Sequence, residues 1–232
     1  MRVAEIRRFP IKSMLGEQLD AVDITARGLA DDRQWACRDR DGKLGSGKNT
    51  RRFRRMPGLL DLRSHLAGSV PTVELPDGRT FAADSPAGHV AVSLALDRNV
   101  TLEPEADVPH HDEGPVSLIT TAALRALATV IGEPVAQARF RANLLIDVPG
   151  AGFPEDDWFH YDLRLASGAV LRPSAPQTRC AMVDMAQGDV PLHGGLLKAV
   201  AEHHAMTFGL WATVVRPGRV AVGDTATLAP AG

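Results

Sequence analysis

The sequence predicts a mostly β protein, and three observations carry that prediction. Short alternating runs are punctuated along the whole chain by Asp-Gly, Ser-Gly and Pro-Gly pairs. Only two segments show apolar residues at helical spacing. The 232 residues, 44% hydrophobic and 23% charged, have the balance of an ordinary globular chain and suffice for one large β domain or two small ones.

From the N-terminus, Asp41-Gly42 follows the alternating run Arg33–Asp39, and Asp77-Gly78 lies between Thr72–Leu75 and Arg79–Phe81. Ser167-Gly168 separates Tyr161–Leu165 from Ala169–Leu171, and Pro217-Gly218 separates Ala212–Val215 from Arg219–Val222. Each reads as a β-hairpin, and hairpins repeated this often argue for a barrel or sandwich. The first helix begins at a Thr120 or Thr121 cap, carries Leu124, Leu127, Ala128 and Ile131 on one stripe, and stops at Gly132. The second is expected over Leu192–His204, with Leu196, Leu197 and Val200 inward and His203 and His204 where positive charge suits the helix dipole. No internal repeat is present. The segment Glu103–Pro115, rich in proline, histidine and acids, reads as a linker with His110 and His111 solvated. It divides the chain into residues 1–108 and 109–232.

A net charge of −2 gives no whole-molecule attraction to nucleic acid or an anionic membrane. The N-terminus lacks the apolar stretch of a secretory signal, and no apolar run approaches the ~20 residues of a membrane-spanning helix. Cys37 and Cys180 are the only cysteines, too few for a disulfide framework and wrongly spaced for zinc. Free thiols and a cytoplasmic location are therefore expected.

Five cations fall in the eight residues Lys48–Arg55. The run is either a solvated loop, a clamp whose Arg51 and Arg52 forks grip a phosphate, or an RNA patch in which Phe53 is the sole interleaved aromatic. The stretch Gly42–Asn49 approaches the phosphate-loop pattern but ends in Asn49 where a metal-binding hydroxyl belongs, and Pro57 follows where a long helix should run; a nucleotide triphosphatase is rejected. Cys37 lies in the alternating run after Trp35 and reads as core. Cys180 follows Arg179 in Pro176-Gln-Thr-Arg-Cys180, where it is either a small buried apolar residue or a thiolate favoured by the neighbouring cation. Arg139, Arg141 and Asn143 alternate into the apolar run Leu144–Ile146, so on a strand they would share a face and aim at one ligand. Glu155, Asp156 and Asp157 read as structural or solvated, and the eight histidines show no metal-binding spacing.

These pieces, in this order, resemble the MOSC family. The likeness rests on Phe9-Pro-Ile-Lys12-Ser13 with Gly16, Gly28-Leu29, and Asp32-Arg33-Gln-Trp35 in the first half. In the second it rests on Arg141-Ala-Asn143, Phe153–Trp158, Thr178-Arg179-Cys180, Val183-Asp184 with Gly188, Phe208–Trp211 and Val222-Gly223-Asp224. It covers nearly the whole chain and is greatest with the two-part members, of which the mitochondrial amidoxime-reducing component is one. The resemblance implies a β-barrel N-terminal domain packed on a barrel-like MOSC domain bearing two short helices, with the site in the cleft between. It implies a molybdenum-molybdopterin cofactor. Lys12, Ser13 and Arg33 would hold its phosphate and pterin, with Ser117 and Thr120 close by. Arg141, with Asn143, and Thr178 would reach the pterin side, Cys180 would bind molybdenum through sulfur, and Trp211 would close the pocket. Here the family's Arg-Pro-Asn reads Arg141-Ala-Asn143, its usual closing tyrosine is Trp211, and no iron–sulfur cysteine set follows.

Three functions follow as expectations. The first is a molybdenum-dependent oxidoreductase that reduces N-hydroxylated compounds with electrons from a separate ferredoxin- or flavin-type reductase. The second is a sulfur carrier or transferase holding a persulfide on Cys180. The third is an RNA- or protein-binding module using the 48–55 patch.

Overall fold

The computed structural model describes residues 1–232, of which 40% are strand and 21% helix, so the chain is mostly β. An eight-stranded sheet forms the centre. Its order is Ala226–Pro230, Tyr161–Leu165, Val170–Thr178, Thr207–Arg216, Val116–Thr120, Leu144–Asp147, Arg2–Arg8 and Glu17–Leu19. Neighbours run antiparallel except Val116–Thr120 beside Leu144–Asp147. A parallel pair needs a crossover longer than a turn, and the helix α1 of the C-terminal half supplies it, leaving Thr120 directly and spanning Thr121–Ile131. A four-stranded sheet and two three-stranded sheets complete the β structure. None closes on itself, so the expected barrels are open sheets folded over shared cores.

The turns divide by what their strands meet. Asp41-Gly42, Asp77-Gly78 and Ser167-Gly168 join antiparallel neighbours as expected. Pro217-Gly218 does not: the strand before it stays in the large sheet, while Gly218–Ala221 pairs with Ala21–Thr25. Thus the final strands of the chain knit onto its first ones, as do Arg2–Arg8 and Leu144–Asp147.

Helix α1 starts where expected. Thr120 Oγ1 accepts from Ala123 N at 3.0 Å, and Gly132 ends the helix at φ 87°, a conformation open to glycine. Its buried face is Ala122, Ala123 and Leu127, with Leu124 and Ile131 at the margin. The second expected helix, α2, is shorter than predicted, Leu196–His204, because a distant side chain sets its start. Asp184 Oδ1 accepts from Leu196 N at 2.7 Å and Leu197 N at 3.2 Å, and caps the helix from another turn. A further helix, Pro86–Ala95, was not expected; Ser85 caps it, accepting from Gly88 N at 2.9 Å, but its exposed Val90 and Leu94 blur the apolar stripe.

Three clusters fill the interior. One joins the large sheet to the strands around Val22 and Ile24. The second packs Ile11, Met14 and Cys37 in the N-terminal half. The third holds α1 and α2 around Phe140 and Phe208, whose rings stack at 4.0 Å. The segment after Pro104 is no solvated linker. His110 is fully buried, its N donates to Glu105 Oε2 at 2.6 Å, and Arg52 donates to the carbonyls of Pro109 and His111.

Candidate functional site

A cleft of about 830 Å³, mouth included, lies where the two halves meet. Lys12, Ser13, Arg33, Arg141, Thr178, Arg179, Cys180 and Trp211 line it, so the fold brings together eight residues that are far apart in sequence. Lys48, Asp112, Glu113 and Arg139 line it as well. Six cationic and two acidic residues thus contribute to its lining, although Arg139 and Arg179 spend their guanidinium groups on backbone carbonyls.

Local geometry explains how each half presents its charges. Ser13, Arg33 and Arg141 all have positive φ, at 66°, 52° and 52°. For non-glycine residues this conformation costs on the order of 1 kcal/mol or more each, and persists only where the surroundings over-determine it. Here they do. Arg33 N donates to Phe9 O at 2.7 Å, and buried Asp32 accepts from Phe9 N at 2.8 Å and from the Arg33 guanidinium. Arg141 leaves a 3-10 turn, Gln137–Phe140, and its guanidinium donates to Met14 O at 2.6 Å. Arg139 and Arg141 therefore sit on a turn, not on the strand expected from their alternation. Phe9 lies between the pair, with the guanidinium carbons of Arg33 and Arg141 4.7 and 4.4 Å from its ring centre.

Asn143 and Ser117 stand behind this layer rather than in the cleft lining. Asn143 Oδ1 accepts from Ser117 N and Oγ at 3.1 and 2.9 Å and from Arg33 Nη1 at 3.4 Å, while Arg33 Nη2 donates to Arg141 O at 3.0 Å. Ser117 thus orients Asn143, Asn143 orients Arg33, and Arg33 in turn ties the Arg141 backbone. Thr120 lies outside the lining too, because its hydroxyl is spent on the helix cap and on buried Glu155 Oε2 at 2.7 Å. Arg51 is exposed beyond the cleft, and Arg52 is turned to the 109–111 carbonyls. Sequence reasoning missed Asp112, Glu113 and Asp32. The first two lay hidden in a segment that composition marks as linker; Asp32 was visible beside Arg33, but its role depends on Phe9 folding back onto it.

The electrostatics follow from burial. Lys12 Nζ donates to Asp112 Oδ1 at 2.6 Å, yet desolvation still pushes its pKa down to about 8. Arg141 and Arg179 are pressed downward by the same cause; guanidinium remains charged, so the strain is electrostatic. Arg179 donates to Phe208 O, Phe140 O and Gln177 Oε1 and meets no carboxylate. Its head is turned to the backbone, so it sets local charge and ties the Cys180 turn to Phe140. Trp211 Nε1 is buried with no hydrogen-bond partner. Cys180 is half-buried in the cleft wall at the end of strand Val170–Thr178. Cys37 is fully buried against Met56 Sδ at 3.8 Å, and burial pushes its thiol up to about 12. No group of three His, Cys, Asp or Glu side chains converges on a point.

Fold and cleft together define the class: a two-part, mostly β protein with a cationic cleft and one thiol in its wall. The chain belongs to the MOSC family: the MOSC N-terminal beta barrel domain matches residues 1–105 and the MOSC domain matches residues 105–227. Among solved structures it is similar to the YuaD protein of Bacillus subtilis, with 14% identity over 100% of this chain and 96% of that one and a TM-score of 0.53. It is also similar to YiiM of Escherichia coli, with 14% identity over 100% of this chain and 71% of that one and a TM-score of 0.47. No curated protein matches the chain. No helix is long and apolar enough to cross a membrane.

Proposed function

We propose that this chain is a molybdenum-pterin oxidoreductase that reduces N-hydroxylated small molecules. MOSC domains are generally associated with the molybdenum cofactor. The observation that carries the reading is the composition of the cleft: Lys12, Arg33 and Arg141, drawn from both halves, line it together with the one cysteine that is not sealed in the core.

The donor set fits a pterin phosphate and a soft metal. Lys12, Arg33 and Arg141 supply charge for a dianionic phosphate, and a Cys180 thiolate suits molybdenum already carrying dithiolene sulfurs. The unpartnered indole N–H of Trp211 is a donor awaiting a ligand acceptor. When bound, the cofactor would supply two-electron chemistry, and the protein's part is to position it and exclude water. Lys12, Arg33 and Arg141 hold the anion. Asp32 and Asn143, the latter oriented by Ser117, fix Arg33, and the Met14 carbonyl fixes Arg141. Trp211 covers one wall, and Thr178 and Cys180 come from the strand end that Arg179 ties down.

The test is Cys180→Ala in a host that makes the cofactor. The variant is expected to fold and to retain pterin through its phosphate, yet to lose reduction of a benzamidoxime. Full activity in Cys180→Ala overturns the mechanism. Metal analysis separates the sulfur-transfer alternative: wild-type protein with labile sulfur on Cys180 and no molybdenum supports the persulfide carrier instead.

A further inference from the structure

The proposed reaction consumes two electrons and two protons as the N–O bond breaks and water leaves, and Cys37 and Cys180 are too few to hold an iron–sulfur cluster within these 232 residues. On that reading the electrons come from a donor that docks close to Cys180. From Gly42 to Leu60 the sequence contains six Lys and Arg residues and not one acid, within a chain of net charge −2. The structure separates these cations by use. Arg54 is neutralised by Asp39 and Asp41, and Lys43 and Arg52 are turned to backbone carbonyls. Lys48, Arg51 and Arg55 enter no ion pair, and Arg51 and Arg55 are exposed.

The segment is held in a fixed shape. Asn49 Oδ1 accepts from Arg55 N at 2.8 Å, and Thr50 Oγ1 accepts from Phe53 N at 3.0 Å. It also sits at the site's lip. Lys48 lines the cleft, and Gly47 packs so tightly on Met182, two residues past Cys180, that a Cβ there would fall 2.1 Å from Met182 Cγ. A hydrogen-bonded segment that carries cations and no acid of its own thus adjoins the wall of the cleft that bears the thiol.

Resting on the oxidoreductase reading, we infer that Lys48, Arg51 and Arg55 form the docking surface for an acidic one-electron carrier protein of ferredoxin type. The carrier binds the rim through its carboxylates and delivers two electrons in two successive visits, while solvent supplies the protons. Charge at such a rim acts mainly on the association rate and on salt dependence.

The experiment pairs binding with two electron sources. A plant-type [2Fe–2S] ferredoxin is titrated onto immobilised wild-type chain and onto the Arg51→Glu/Arg55→Glu variant, at low and at physiological salt. Benzamidoxime reduction is then driven by that ferredoxin or by reduced viologen, which needs no docking. Reversing both charges is expected to weaken ferredoxin binding and ferredoxin-driven turnover by about tenfold or more at low salt, with the gap closing as salt rises. Viologen-driven turnover should stay unchanged, which also shows that the variant is folded. Equal ferredoxin binding by both proteins overturns the docking surface, as does a patch that takes up a single-stranded RNA oligonucleotide and ignores ferredoxin. Absent viologen-driven turnover in wild type instead removes the oxidoreductase reading, while the binding arm still decides the docking surface.

Discussion

At the scale of single residues, the cleft couples charge to pH through Lys12. Its pKa is pushed down to about 8 by burial, so between about 8 and its ordinary value the folded chain binds fewer protons than the unfolded chain. The burial penalty is thus present in full below pH 8 and relieved as pH rises above it. Ligand binding runs the opposite way. An anion needs the charged amine, so affinity of the cleft for a pterin phosphate should fall as pH rises through about 8. Titration with a pterin monophosphate from pH 7 to 10 checks this, and Lys12→Arg should flatten the profile because guanidinium stays charged. The two thiols make a second residue-scale contrast. Cys37, sealed in the core and pushed up to about 12, should resist iodoacetamide in the native protein, whereas Cys180 opens on the cleft and should alkylate. Mass analysis after native alkylation should find one modified cysteine, and a native adduct on Cys37 would contradict the assignment.

At the scale of elements, the most informative junction is the end of strand Val116–Thr120. Thr120 closes the strand, caps α1 and donates to buried Glu155, whose carboxyl is held above its ordinary range by burial. Thr120→Ala removes the cap and leaves a buried carboxyl oxygen without its donor. Together these should lower stability by about 2 kcal/mol in urea unfolding, with anion affinity of the cleft unchanged. A selective loss of anion binding with normal stability would return Thr120 to the ligand shell that family resemblance assigns it. The elements also show what period and turn chemistry can reveal. The cap, stripe and stop of α1 are local, so Thr120 and Gly132 announce it. The start of α2 depends on Asp184, twelve residues before Leu196, and no local pattern shows that. Likewise Pro217-Gly218 marks a turn, but whether its flanking strands pair with each other is settled by which neighbours each finds.

At the scale of the whole molecule, the segment 105–115 is a strap packed on the N-terminal half, with Asp112 and Glu113 in the cleft wall, rather than a spacer. Glu105 pairs with Arg27, His111 meets Arg27 O at 3.2 Å, and Asp112 meets Lys12, so the strap spans the distance between the first strands and the site. Burial drives both histidines down to about 4. A neutral imidazole in the fold and a readily protonated one in the unfolded chain mean that stability is present above pH 6.5 and lost as pH falls toward 4. Urea unfolding should therefore show a steep decline between pH 6.5 and 4 that is shallower in His110→Gln. A wild-type profile flat over that window would show that the strap's histidines are not buried neutral.

The sequence by itself determined the mostly β class, the family, and the first C-terminal helix with both its ends, and the family resemblance pointed to Lys12, Arg33, Arg141, Cys180 and Trp211, which line one cleft. These are legible because turn pairs, caps, alternation and short motifs are local, and each is fixed by a few adjacent residues. Only the tertiary structure decided which of those groups share a space, that Ser117 and Asn143 support instead of line, that Arg51 faces outward, and that Asp112 and Glu113 from the acidic stretch after Pro104 line the site. These are outcomes of long-range packing. Desolvation and unpaired charge arise only when distant segments are pressed together, and no local spacing records which segments those will be.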